Sequence, residues 1–239
     1  MSVAATRQDQ QPVFVLHTYP FKETSLVVEL FSRQFGRVAA VAKGARRPRS
    51  AMRGMLQAFQ PLHATWSGKS ELRTLHALDW GEGLLLLNGE ALMCGFYLNE
   101  LLLRLLPRED PHETLFDAYA QTLRQLASGM PVAPILRRME LHMLQEMGYA
   151  VPLTRALDGV AVVAEADYSY LPEQGPRPPG SRDSGVQLRG KTLLDMAAGD
   201  YSDPATLVQS KQLMRTLLAH YLGDKPLHTR QLLMDLQEL

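Results

Sequence analysis

Five runs of strand-forming residues follow one another through the first eighty positions, and no helical stretch separates any two of them. They read PVFVLHTYP, SLVVELFS, GRVAAVAKG, LQAFQPLHATWSG and ELRTLHALDW, each β-branched or aromatic in character. Turn signals divide them: Pro20, Gly36, Gly44 with Pro48, and Ser67-Gly68. A βαβ arrangement needs helical crossovers that are missing here, so a small closed barrel is the better fit. The expectation is a five-stranded Greek-key barrel of the OB-fold type over residues 1–81.

After Gly83 the period changes. GEALMCGFYLNELLLRLL, HETLFDAYAQTLRQLASG and VAPILRRMELHMLQEMGY place apolar residues at i, i+3, i+4 and i+7, which predicts helices. Pro107, Pro111, Gly129 with Pro131, and Gly148 punctuate them. DPATLVQSKQLMRTLLAHYLG follows, with Asp203 as N-cap and Pro204 at the first helical position, and then PLHTRQLLMDLQEL. Residues 155–189 between the two helical groups have no clear period, and EQGPRPPGSRDSG reads as a loop whose flanks are able to pair as a short ribbon. The expected class is α+β with two domains: the barrel, and a helical domain over 82–239 carrying an irregular insertion at about 155–189.

Charge separates the same two parts. The formal net charge is zero, yet residues 1–81 hold eleven Lys and Arg against five acids, leaving the remainder acidic. From Leu30 to Ser70 there is no acid, while Arg33, Arg37, Lys43, Arg46, Arg47, Arg49, Arg53 and Lys69 all fall in that window. The densest part is AKGARRPRSAMRG, residues 42–54. Such a split marks distinct jobs for the two halves. The single cysteine, Cys94, excludes a disulfide framework and a cysteine-built zinc site. MSVAATRQDQQP has no apolar core of a secretory signal, and no apolar run is long enough to span a bilayer. A soluble cytoplasmic protein is expected.

Catalytic patterns fail one by one. GVQLRGKT, residues 185–192, matches the phosphate-loop pattern G-x-x-x-x-G-K-[ST] through Gly185, Gly190, Lys191 and Thr192. PRPPGSRDS before it is no buried strand, however, so the match is read as coincidence. The GKS at 68–70 has His63 in place of the first glycine. The histidines show no metal-triad spacing, and no nucleophile motif occurs. Neither catalysis nor a cofactor nor a metal is expected.

The basic stretch is either a surface loop kept soluble by its charge or a site for a polyanion. Its place after the third strand of a small barrel favours the second, because cations track phosphates while aromatic rings stack unpaired bases. Arg33, Arg37, Lys43, Arg46, Arg47, Arg49 and Arg53 are the candidate phosphate contacts. Of the barrel aromatics, Phe35 beside Gly36 and Trp66 beside Ser67-Gly68 are the candidates for exposure and stacking. In the helical part, Arg137 and Arg138 with Leu141 share helix faces able to dock an acidic, apolar peptide tail.

The order of motifs resembles a known family. FVLHTYPFKETSLVVELFSRQFGRVAAVAKGARRPRS, FYLNELLLRLL, LRRMELHMLQEMGY and YLGDKPLHTRQLL together look like RecO, the bacterial recombination mediator family. The resemblance covers nearly the whole chain. It implies an OB-fold followed by a helical domain and no enzyme activity. It also implies binding of single- and double-stranded DNA and annealing of complementary strands. With RecR as partner, such proteins load RecA onto DNA covered by single-stranded-DNA-binding protein, whose acidic tail docks on the helical domain. Lys43, Arg46, Arg47 and Arg49 fall in the matching VAKGAR region, and Arg137 and Arg138 in the segment expected to hold the tail. Arg230 falls in a terminal KPL-x-[ST]-R motif with no assigned role. Some members carry a four-cysteine zinc module where this chain has PEQGPRPPGSRDSG, so zinc is not expected. The resemblance implies a cytoplasmic, nucleoid-associated protein. An OB-fold RNA-binding or transcription adaptor is the alternative that the basic loop would also serve, distinguished by a preference for the 2′-OH of RNA.

Overall fold

The computed structural model describes residues 7–149, 151–178, 185–223 and 226–229. Strands β1 (Arg7–Phe21), β2 (Ser25–Ser32), β3 (Gly36–Ala42), β4 (Leu62–Ser67) and β5 (Leu72–Trp80) close into a barrel of order β1-β2-β3-β5-β4. β3 and β5 run parallel, and every other neighbouring pair in the barrel is antiparallel. This is the OB-type barrel that the five runs predict. LQAFQP stays outside the sheet, because the connection from β3 has to pass β5 before β4 can start at Leu62. That crossing creates the long connection over residues 43–61.

Alternate side chains fill the barrel, among them Val13, Val15, Val28, Leu30, Leu62 and Ala64. Part of its outer face is covered by two helices, α1 (Gly89–Leu105) and α2 (Glu113–Ala127). Phe14 of β1 and Phe31 of β2 point outward and meet Phe116 and Tyr119 of α2 at ring-centroid distances of 5.2–6.0 Å. Burying each such ring is worth about 3 kcal/mol. The β1–β2 register shifts between Val15 and His17, and a bulge of this kind leaves a ladder carbonyl unpaired. Asn99 of α1 donates its side-chain amide to the Leu16 carbonyl at 2.9 Å and accepts from the Tyr119 hydroxyl at 2.5 Å. The bulge and the buried Asn99 thus answer one another.

By packing, the chain divides into Met1–Met130 with Leu227–Leu239, and Pro131–Pro226. The second unit holds α3 (Val132–Glu146), β6 (Asp167–Leu171), β7 (Gly175–Arg177), β8 (Val186–Arg189), α4 (Gly190–Ala198) and α5 (Pro204–Leu222). Asp203 caps α5 as expected, its carboxylate accepting from the Ala205 N–H at 2.8 Å with Pro204 behind it. In the expected irregular insertion the flanks of the loop pair as a ribbon, β6 with β8, and β7 adds a third strand. The insertion thus contains a three-stranded antiparallel sheet of order β7-β6-β8, with Tyr168 and Tyr170 buried opposite Leu188 and Val186. Strands of three to five residues are too short to show a period in sequence. Residues 179–184 of the EQGPRPPGSRDSG stretch, Arg230 and all but the start of the last expected helix lie outside the described residues.

The phosphate-loop match has a packing explanation. The N–H groups of Gly190 and Lys191 donate to the carbonyls of Ala166 and Ala164, at 2.8 and 2.9 Å. A Cβ at Gly190 would stand 1.8 Å from the Val163 carbonyl oxygen, so the glycine serves a close backbone approach. The Lys191 ammonium is paired with Asp195 at 2.5 Å and Asp203 at 3.3 Å. Thr192 donates to Gln209 at 2.7 Å.

Candidate nucleic-acid interface

The connection from β3 is two-sided. Ala45 is buried, and Met52, Met55 and Leu56 pack against the barrel core, so the loop closes the end of the barrel with its apolar residues. Lys43, Arg46, Arg47, Arg49 and Arg53 fall between them and are all exposed. Successive turns fix the path: Arg47 N–H to the Gly44 carbonyl at 3.0 Å, Ser50 N–H to Arg47 at 3.1 Å, and a 3-10 turn over Ala51–Gly54. The turn between β1 and β2 anchors it, accepting from the Arg46 N–H through the Thr24 carbonyl at 2.8 Å and from Gly44 through Ser25 Oγ at 3.4 Å. Lys22 in that turn is exposed beside the Phe21 ring, its ammonium 5.4 Å from the centroid. Sequence reading overlooked Lys22 because only the β2–β3 pairing of Leu26 with Ala42 brings its turn to the loop.

No ion pair forms at Lys43, Arg46, Arg47, Arg49 or Arg53 among the described residues. Cations held on a fixed loop without acidic partners keep their full attraction for a polyanion.

At the other end of β3 the arginines are committed. Arg33 binds the Asp117 carboxylate through two N–H groups, each at 3.0 Å, and also pairs with Glu113. The hydrogen bonds from Arg33 hold the Asp117 carboxyl below the usual carboxylate range. Arg37 donates to the Leu106 carbonyl at 3.0 Å and to Glu29 at 3.4 Å, and Arg108 meets the other Glu29 oxygen at 2.5 Å. Arg33 and Arg37 therefore clamp the barrel to α2 and to the segment after α1, and neither is a free cation.

The aromatic expectation is also corrected. Trp66 is only 2% exposed, in the barrel interior, and the half-buried Phe35 packs edge-on against it at 5.5 Å. A barrel this narrow needs its large rings inside: Trp66 sits near the end of β4, and Phe35 covers it from the turn between β2 and β3.

In the second unit, Arg137 and Leu141 are buried, whereas Arg138 is exposed. Arg137 lies four and seven residues before Leu141 and Leu144, so the helical period that aligns them also turns it inward. There it donates to Glu140 at 2.6 Å. Arg138, one position on, donates to the Gly199 carbonyl at 3.0 Å and lies 5.6 Å from the Tyr201 ring centroid. Tyr201 is itself buried, its hydroxyl has no hydrogen-bond partner among the described residues, and burial pushes its pKa up to about 12.

Among the described residues no three His, Cys, Asp or Glu side chains group to hold a metal ion, and no helix is long and apolar enough to cross a membrane.

A closed five-stranded barrel in this order, its end covered by a basic loop, defines a protein of the oligonucleotide-binding-barrel class. Comparison with known sequences is more specific. The family descriptions "Recombination protein O N terminal" and "Recombination protein O C terminal" match residues 7–83 and 86–231. The DNA repair protein RecO of Nitrosospira multiformis is 56% identical over 242 residues, covering the whole of both chains. Those of Aromatoleum aromaticum and an Azoarcus species are 57% and 54% identical, over 98% of each chain. The chain belongs to the RecO family.

Proposed function

We propose that this chain is a DNA-repair and recombination mediator whose basic loop, Lys43 to Arg53 with Lys22 beside it, tracks the phosphates of single- and double-stranded DNA. One observation carries the reading: these cations are exposed on a turn-fixed loop and have no acidic partner among the described residues. Neutralising the phosphates removes strand repulsion and leaves base edges free, which is what annealing of complementary strands requires. On this reading RecR is the partner with which RecA is loaded onto DNA covered by single-stranded-DNA-binding protein. The acidic tail of that protein docks at exposed Arg138, beside Tyr201, with Arg137 supporting the site from beneath. Arg33 and Arg37 are left out of the contact set because acids already hold them.

The test is fluorescence anisotropy of labelled single-stranded DNA at several salt concentrations, with wild type and the Arg46/Arg47/Arg49→Ala variant. Three lost phosphate contacts shrink the slope of log K against log[salt] by about two, at roughly 0.7 per contact. An unchanged slope removes the loop from the DNA site.

A further inference from the structure

With Trp66 buried in the barrel and Phe35 half-buried against it, neither ring that the sequence nominated is exposed. The outer face of the sheet supplies another. Register places Tyr19 of β1 opposite Val27 of β2, Val27 opposite Val41 of β3, and Val41 opposite Thr74 of β5. These four residues stand in one row across the outer face. Farther along the same strands Phe14 and Phe31 are covered by α2, and Glu29 is sealed by Arg37 and Arg108. Within the row Tyr19 is the exposed member, at 45%, while Val27 and Thr74 are half-buried and Val41 is buried. His17 meets its ring edge-on, at 4.5 Å and 62°, which braces the ring.

The row ends at the basic loop. Val41 is two residues before Lys43, and Lys22 follows Tyr19 by three residues in the same turn that anchors Arg46. Two strand spacings, about 10 Å, separate Tyr19 from β3. A strand whose phosphates lie on the loop therefore brings its bases over this row.

We infer that Tyr19, braced by His17, is a base-stacking platform that acts on single-stranded DNA and not on duplex. This rests on the proposal that the adjacent loop binds phosphates. A base can stack on a side chain only when its own face is free, which it is in a single strand and is not inside a duplex. The cations serve both forms of DNA equally. The structure thus divides the work: charge holds either form, and one ring adds a preference for the unpaired strand.

The experiment measures binding of oligothymidine and of an equally long duplex at several salt concentrations, with wild type, Tyr19→Ala, Tyr19→Phe and the Arg46/Arg47/Arg49→Ala variant. Tyr19→Ala is expected to weaken oligothymidine binding about five- to tenfold, as loss of one stacked base does. Duplex binding, which also reports an intact fold, and the salt slope stay unchanged, and Tyr19→Phe keeps wild-type affinity. Equal affinity of Tyr19→Ala for oligothymidine, or equal weakening on both DNAs, overturns the platform and leaves the row as a protein-docking face or plain sheet surface. If Tyr19→Ala loses single-strand affinity while the arginine variant keeps its salt slope, the platform stands and the phosphate loop falls. A wild type that binds neither DNA sinks both.

Discussion

The two ends of β3 carry the same kind of residue and put it to opposite uses. Before the strand and at its start, Arg33 and Arg37 meet Asp117, Glu113 and Glu29 and fasten the barrel to its covering helices. After the strand, Lys43, Arg46, Arg47, Arg49 and Arg53 meet no acid among the described residues and stay exposed. All seven lie in one acid-free window of sequence. The difference lies in what the fold brings up to them, with Asp117 arriving from 84 residues away. Positive charge in sequence is thus a poor guide to a binding surface until its partners are known.

The sharpest way to break this comparison is to remove an acid at the paired end. Glu29 is 3% exposed, and Glu29→Ala leaves the Arg37 guanidinium half-buried without its partner, at a cost of about 3 kcal/mol in urea unfolding. The double variant Glu29→Ala/Arg37→Ala should recover part of that loss, since the stranded cation is gone. If Glu29→Ala is neutral, the cluster is not a clamp.

An intermediate case is Glu100 on α1, an acid held mainly by backbone N–H groups, with the Arg104 guanidinium 3.9 Å away. It accepts from the N–H groups of His228 and Thr229 at 2.8 and 2.9 Å and from the Thr229 hydroxyl at 2.7 Å. Burial alone would raise its pKa, but the hydrogen bonds from Thr229 and His228 prevail and lower it. A lowered folded pKa means that the carboxylate stabilises the fold above the ordinary carboxylate pKa and loses that contribution as pH falls through the folded value. Glu100→Gln is expected to cost about 1 kcal/mol at neutral pH, and the gap to wild type should narrow in acid. Urea midpoints at the two pH values check it, and a gap independent of pH would refute the assignment.

The smallest expected effect on stability is at the free end. The Arg46/Arg47/Arg49→Ala variant that alters the salt slope should unfold within about 0.5 kcal/mol of wild type. These exposed side chains form no ion pair among the described residues, and the long hydrogen bond lost, from Arg46 to the Glu23 carbonyl at 3.4 Å, leaves nothing buried behind. A large loss of stability would mean that the loop is held by its cations as well as by Ala45 and Met52, and the contrast between the two ends would weaken.

Local pattern made the main divisions legible. β-branched runs between glycines and prolines marked the barrel strands, and 3.6-residue periods marked α1, α2, α3 and α5, because both signals repeat within a few residues. The β6–β8 ribbon is legible at the flanks of the loop, whereas β7, three residues long, is not. Trp66 and Phe35 were misplaced because neighbouring turn residues suggest exposure, whereas the barrel's narrow interior decides it. Arg137 was visible on the Leu141 face, yet period alone does not say which face is buried.

What the sequence determines by itself, then, is the order of strands and helices, the basic window and the family motifs, all of which are local or linear. The tertiary structure alone decides which cations remain free, which rings face outward and why GVQLRGKT holds no phosphate loop. Those outcomes depend on groups distant in the chain: Asp117 for Arg33, α2 for Phe14 and Phe31, the Val163 carbonyl for Gly190. Electrostatic and steric fate is set by neighbours in space, and spatial neighbours are what a linear pattern does not record.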